Sequence, residues 1–321
     1  MIKKIIKVTL ITCVSILGLF LVSLFFGARY PMDKSAEEIE AKYLEDSSSF
    51  INIDGVNIHY TDEGTGPVIL LLHANYANLI DWKPWVKTLS PNYRIIRMDI
   101  PGHGLTEADP LNDYSMPRTV FLIERLISSL GIKQLSVVGA SLGGTIGIHF
   151  TRNNPEIVDH LILVSPGALN PRVRGSNEPA KLPKAFNLMT QITPRLLVKG
   201  LLTGGFGDPS NISEELITRW HDLLLREGQR DAQMARMRQY VSGDIDQVIK
   251  QVKAPVLIMW GKKNKVVPVE LAYEMKNLLV NSHSIEIIIY ESGGHQLVQE
   301  LGQETAVDAL EYLVQSNQEA M

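Results

Sequence analysis

Short runs that are apolar on both faces alternate along this chain with longer stretches whose apolar positions recur at helical spacing. The runs cover residues 68–72, 93–98, 135–138, 160–164, 255–260 and 284–290. A strand with one face in water alternates apolar and polar positions. These runs do not, so they predict a buried parallel sheet with helices on both faces. Helical spacing predicts the covering helices over 79–89, 116–130, 142–153, 268–279 and 304–314. Upstream, residues 50–53 and 56–60 flank Asp54-Gly55, a dipeptide suited to a tight hairpin, so the sheet should open with antiparallel strands. The pattern predicts an α/β fold with a mostly parallel, eight-stranded sheet.

After the sixth strand the rhythm stops. Between residues 170 and 241 the chain carries helical segments punctuated by Pro and Gly. One starts at Ser213, a good N-cap, with Glu214 and Glu215 in its first turn. Leu216, Ile217, Trp220, Leu223 and Leu224 then form an apolar stripe. Such a stripe packs on the main domain, and its place between strands also suits a helical cap over a site at the strand ends. The expected division is an anchor over 1–29, a tether over 30–49, a core over 50–169 and 242–321, and a cap over 170–241.

The N-terminus has its own pattern. Lys3, Lys4 and Lys7 precede residues 8–28, which carry no charge. A helix of that length spans about 30 Å, the thickness of a hydrocarbon core. A cleaved signal peptide is the competing reading, but its apolar stretch is usually shorter. Phe25 and Phe26 also stand where a cleavage site before Arg29 needs small residues. The sequence therefore predicts an N-terminal transmembrane helix, with lysines on the cytoplasmic side and the rest of the chain outside. Residues 31–49, acidic and serine-containing, read as a tether with one short helix.

Composition adds exclusions. A net charge of −4 over 321 residues gives no reason to expect nucleic acid as a partner. The single cysteine, Cys13, precludes an internal disulfide framework, and no Cys/His cluster has zinc-ligand spacing. No cofactor and no metal are expected.

The candidate chemistry centres on Gly139-Ala140-Ser141-Leu142-Gly143-Gly144, between a predicted strand and a predicted helix. A turn this sharp crowds out flanking side chains and leaves the serine hydroxyl exposed. The Leu142 amide, at a helix N-terminus, can donate to an oxyanion. Gly-x-Ser-x-Gly alone arises by chance in about one chain of this length in ten, so the surroundings must decide. His73-Ala74-Asn75 follows one strand and Asp99-Ile100-Pro101-Gly102-His103-Gly104 the next. Trp260-Gly261-Lys262-Lys263-Asn264 follows a late strand, and Gly293-Gly294-His295 the last.

In order and spacing this set resembles the α/β-hydrolase superfamily over residues 50–316. It most resembles the capped, serine-nucleophile branch of esterases and carbon–carbon bond hydrolases. Dehalogenases and epoxide hydrolases need a carboxylate where Ser141 stands. The resemblance implies Ser141 as nucleophile, His295 as general base, and the amides of Leu142 and Asn75 as oxyanion hole. The family usually has Gly where Ala74 stands, so Ala74 must avoid positive φ. His73 and His103 fall in family turn motifs and read as structural; Asp99 reads as a brace of its turn.

One position departs from the family. Its orienting aspartate falls at Asn264, which carries no charge and can present either an oxygen or an NH₂ to the imidazole. In a serine-protease triad the same exchange lowers turnover by about 10⁴. Three outcomes stay open: slow hydrolysis with Asn264 as neutral orienter, rescue by Asp244, Asp246, Glu178 or Glu291, or a catalytically dead fold. The resulting expectation is a membrane-anchored serine hydrolase acting on a small-molecule, apolar carboxylic ester. The alternative is a ligand-binding protein that keeps the pocket without the chemistry.

Overall fold

Eight strands, β1 (Ser48–Ile53), β2 (Val56–Glu63), β3 (Val68–Leu72), β4 (Arg94–Met98), β5 (Leu135–Ala140), β6 (Val158–Val164), β7 (Val256–Gly261) and β8 (Ile285–Tyr290), form one sheet. Their order is β1-β2-β4-β3-β5-β6-β7-β8. The computed structural model describes residues 2–25, 29–179 and 182–319. β2 runs antiparallel to both β1 and β4, and every other pairing is parallel, so the sheet is mixed with one reversed strand. The hairpin turn falls at Asp54 and Gly55, both with positive φ (51° and 86°), as a tight hairpin requires.

The central strands β5 and β7 are buried at every position, which explains why their sequences do not alternate. Strand periodicity of two still sorts side chains between faces. Leu70, Leu72, Val137, Leu161 and Ile258 join one core with the helices Met116–Ser129 and Leu142–Asn153. Their neighbours Ile69, Leu71, Val138, Ile162 and Leu257 join another with Trp82, Trp85 and Leu313.

Between β6 and β7 the described residues form helices at Arg195–Gly205, Glu214–Leu224, Gln229–Gln239 and Ile245–Lys250. Ser213 caps the second, its Oγ accepting from the Leu216 amide at 3.0 Å. The predicted stripe faces inward: Leu216, Ile217, Trp220 and Leu224 join the Trp82 core, while Leu223 packs with Ile39 and Leu105. A polar row on Gln229–Gln239 grips the loop after β4. Gln229 donates to the carbonyls of Gly104 and Thr106, Gln233 to Gly102, and Arg236 to Pro101.

The helix Ile2–Phe25 contains a run, Ile5–Ser23, long and apolar enough to cross a membrane, and the protein buries none of it. Residues 26–28, where the predicted span ends, lie outside the described residues. Residues 30–45 depart from a free tether. The Tyr30 amide donates to the Gln191 carbonyl at 2.6 Å, and the Thr193 amide donates to the Tyr30 carbonyl at 3.0 Å. Lys34 exchanges similar bonds with Leu225 and Glu227. The acidic and basic side chains that suggested a solvated linker are engaged: Arg230 holds Asp33, and Lys42 and Tyr43 hold Asp222. The short helix is present at Ala36–Tyr43, capped by Ser35.

Candidate active site

Ser141 occupies the junction of β5 with the helix Leu142–Asn153, at φ 49° and ψ −108°. An L side chain pays for that conformation in backbone strain of about 1–3 kcal/mol, and such strain persists only where the surroundings enforce it. Here they do. A Cβ on Gly139 would lie 2.6 Å from the Gly144 Cα, and one on Gly143 would lie 2.7 Å from the His73 carbonyl oxygen. Strand, turn and helix are therefore in direct backbone contact, with the hydroxyl left at the sheet's rim.

The structure brings Ser141, His295 and Asn264 together. His295 Nε2 lies 2.9 Å from Ser141 Oγ, and His295 Nδ1 lies 3.1 Å from the Asn264 side-chain nitrogen. Asn264 Oδ1 accepts from the amides of Val266 and Val267 at 3.0 and 2.9 Å. Those amides can only donate, so the carbonyl oxygen must face them and the NH₂ must face His295. An NH₂ donates, so Nδ1 is the lone-pair nitrogen and Nε2 carries the proton, donating it to Ser141 Oγ. Asn264 thus selects the opposite tautomer to the one a general base at Nε2 needs. Burial lowers the His295 pKa to about 4, keeping the ring neutral near pH 7.

Among the described residues no carboxylate lies within hydrogen-bonding distance of His295. Asp244 caps the helix Ile245–Lys250, Asp246 binds Arg174, and Glu291 binds Lys262. Glu178 is exposed.

Leu142 is the first residue of its helix, so its amide has no acceptor within the helix. Asn75 lines the same cavity as Ser141 and Leu142. Its side-chain oxygen accepts from His103 Nε2 at 3.1 Å. Ala74 is not among the residues of positive φ; the loop takes that conformation at Tyr76 instead, with φ 63°. His73 is spent on the backbone, donating from Nδ1 to the Ala74 carbonyl and accepting at Nε2 from the Ile100 amide. Asp99 accepts from the amides of Leu79 and Leu105 and from His59.

The cavity beside Ser141 measures about 320 Å³. Val173, Leu182 and Met237 give it an apolar wall, and among the described residues Arg236 is the one charged residue in its lining. Burial lowers the Arg236 pKa to about 10, leaving it charged near neutrality, where it donates to the carbonyls of Tyr114 and Pro101 and to the Thr119 hydroxyl.

Sequence reasoning missed the support of the histidine loop. The amides of His295 and Gln296 both donate to the Gly205 carbonyl, at 2.6 and 3.0 Å. Glu300 gathers three more amides, those of Gly207, Asp208 and Gly294, at 2.9, 2.7 and 2.8 Å. A Cβ on Gly294 would lie 2.6 Å from the Phe206 carbonyl carbon, so the two loops touch through their backbones. The available signal was the pairing of two glycine clusters, at 204–207 and 293–294.

A mixed sheet of this order, with a strained serine after its fifth strand and a histidine after its last, defines the class of α/β hydrolases. The chain belongs to the α/β-hydrolase-fold family, whose model matches residues 67–300. It is 29% identical over 259 residues to 2-hydroxy-6-oxo-6-(2'-aminophenyl)hexa-2,4-dienoic acid hydrolase of Metapseudomonas resinovorans, covering 78% of this chain and 85% of that one. Among solved structures it is similar to a serine hydrolase involved in carbazole degradation, with a TM-score of 0.69, 25% identity, and coverage of 83% and 98%. A bacterial membrane phospholipase A shares the fold at a TM-score of 0.70 and 19% identity, over 97% of this chain and 99% of that one.

Proposed function

We propose that this chain is a membrane-anchored serine hydrolase that cleaves carboxylic esters of apolar small molecules through an acyl-enzyme, at a slow rate. The contact that carries the reading is the 2.9 Å approach of His295 Nε2 to Ser141 Oγ. In this reading Ser141 Oγ attacks the ester carbonyl, its proton passes to His295 Nε2, and the amides of Leu142 and Asn75 hold the developing oxyanion. The proton then moves to the departing alkoxide, and water repeats the sequence on the acyl-enzyme. Attack requires the imidazole with its proton on Nδ1, which sets two donors face to face at Asn264. That mismatch, with no carboxylate to stabilise the imidazolium, limits the rate on the scale of the 10⁴-fold loss known for serine proteases.

The helix Ile2–Phe25 acts as the anchor, with the catalytic domain outside the cytoplasm. Residues 170–241 act as the cap, and the cavity of about 320 Å³ accommodates a small acyl or alkyl group. By their names the relatives above are a dienoic acid hydrolase, a serine hydrolase of carbazole degradation and a phospholipase A, so the ester assignment rests mainly on the chemistry of the site.

A second reading is favoured by one observation. The Asn264 NH₂ facing Nδ1 suits a ligand-binding protein that keeps the cavity and has lost the base. A fluorophosphonate probe separates the two. Labelling of the wild type that vanishes in Ser141→Ala supports the hydrolase; no labelling at high probe concentration supports the binder.

A further inference from the structure

We propose that one face of the segment between β6 and β7 lies in the headgroup region of the bilayer that holds this chain's own N-terminal helix. The inference rests on the anchor reading above. It begins at Tyr30, whose ring packs edge-on against Phe20 with centroids 5.7 Å apart. Phe20 is three residues from the end of the apolar run, about 5 Å along the helix axis. Of residues 5–23 it alone is partly buried, and the rest are exposed. Tyr30 therefore sits at the level of the last turn of the span, where tyrosines favour the boundary between hydrocarbon and water.

What is bonded to Tyr30 must share that level. Its backbone pairs with Gln191 and Thr193, and only five peptide units, at most about 18 Å, separate it from Phe25. The chain on either side of this pairing exposes large apolar side chains. Leu188 is 50% exposed, Leu196 76% and Met32 80%. Lys199 lies one turn from Leu196 on the same exposed helix face. Apolar side chains flanked by a lysine suit insertion among phospholipids with the ammonium on a phosphate. A soluble surface gives no reason to cluster such side chains where the span emerges.

The same segment carries Leu182, which lines the catalytic cavity.

The test uses the full chain reconstituted in vesicles of equal parts phosphatidylcholine and phosphatidylglycerol, with and without nitroxide-labelled lipid. A fluorophore is placed on the native Cys13 or, in a Cys13→Ser background, on Leu188→Cys, Leu196→Cys or Val280→Cys. Val280 is exposed beside the opposite ends of the strands and serves as reference. Quenching at 188 and 196 several-fold greater than at 280 is the expected result. If Cys13 is quenched while 188 and 196 behave like 280, the docking face is overturned and the anchor stands. If Cys13 itself is not quenched, both readings fall.

Discussion

The Asn264 side-chain nitrogen faces His295 Nδ1 at 3.1 Å, while its oxygen is held by the amides of Val266 and Val267. A carboxylate has almost the same shape and would keep both amide bonds on one oxygen. Its other oxygen would then accept a proton from Nδ1. The site is one atom from the arrangement that a general base requires.

Asn264→Asp should therefore raise turnover of p-nitrophenyl esters at neutral pH by on the order of 10²- to 10⁴-fold. Steady-state kinetics check this. An unchanged or lower rate would show that Asn264 does not limit the chemistry.

The same substitution should move the pH profile. Wild-type His295 is held at about 4 by burial, so protonation should stop the reaction only near that pH. A carboxylate beside Nδ1 favours the imidazolium and raises the pKa. The acid limb of kcat/KM in Asn264→Asp should lie at higher pH than in the wild type.

Stability should fall on acidification. Burial depresses His149 and His295 to about 4, whereas an unfolded chain binds those protons near pH 6.5. Above about pH 6.5 neither state is protonated and the full stability is present. Between about 6.5 and 4 the unfolded state binds more protons, so stability declines as pH drops. Thermal melts in detergent across that range measure it.

At the serine, two substitutions that remove the hydroxyl should differ in stability. Ser141→Ala keeps a Cβ at φ 49°, whereas Ser141→Gly removes the strain. Both should abolish fluorophosphonate labelling, with the glycine variant melting at the higher temperature. Equal melting temperatures would argue against stored strain.

Glu300→Ala should free three backbone amides and loosen the loop that carries His295. A loss of about 1–3 kcal/mol in stability is expected, with a fall in kcat larger than the change in KM. A melt and a kinetic series on one preparation test both.

Much of the sheet was legible because burial on both faces leaves an unbroken apolar run, as in β3 and β7. The turn at Ser141 was legible because backbone contact admits only glycine at 139 and 143. Asn264 could be flagged as unusual, but not oriented: its direction depends on the amides of Val266 and Val267, and local hydrogen bonding of that kind leaves no mark on residue type. The role of Glu300 was hidden for the same reason, since its partners are main-chain groups of the distant Gly207 and Asp208. The docking of residues 30–45 was missed because two isolated backbone pairings, of Tyr30 with Ile192 and of Lys34 with Arg226, make no periodic pattern.

The carbonyl of Gly205, shared by the amides of His295 and Gln296, ties the histidine loop to the end of the helix Arg195–Gly205. A shift of that helix end is therefore transmitted through two main-chain bonds to the residue that carries the imidazole.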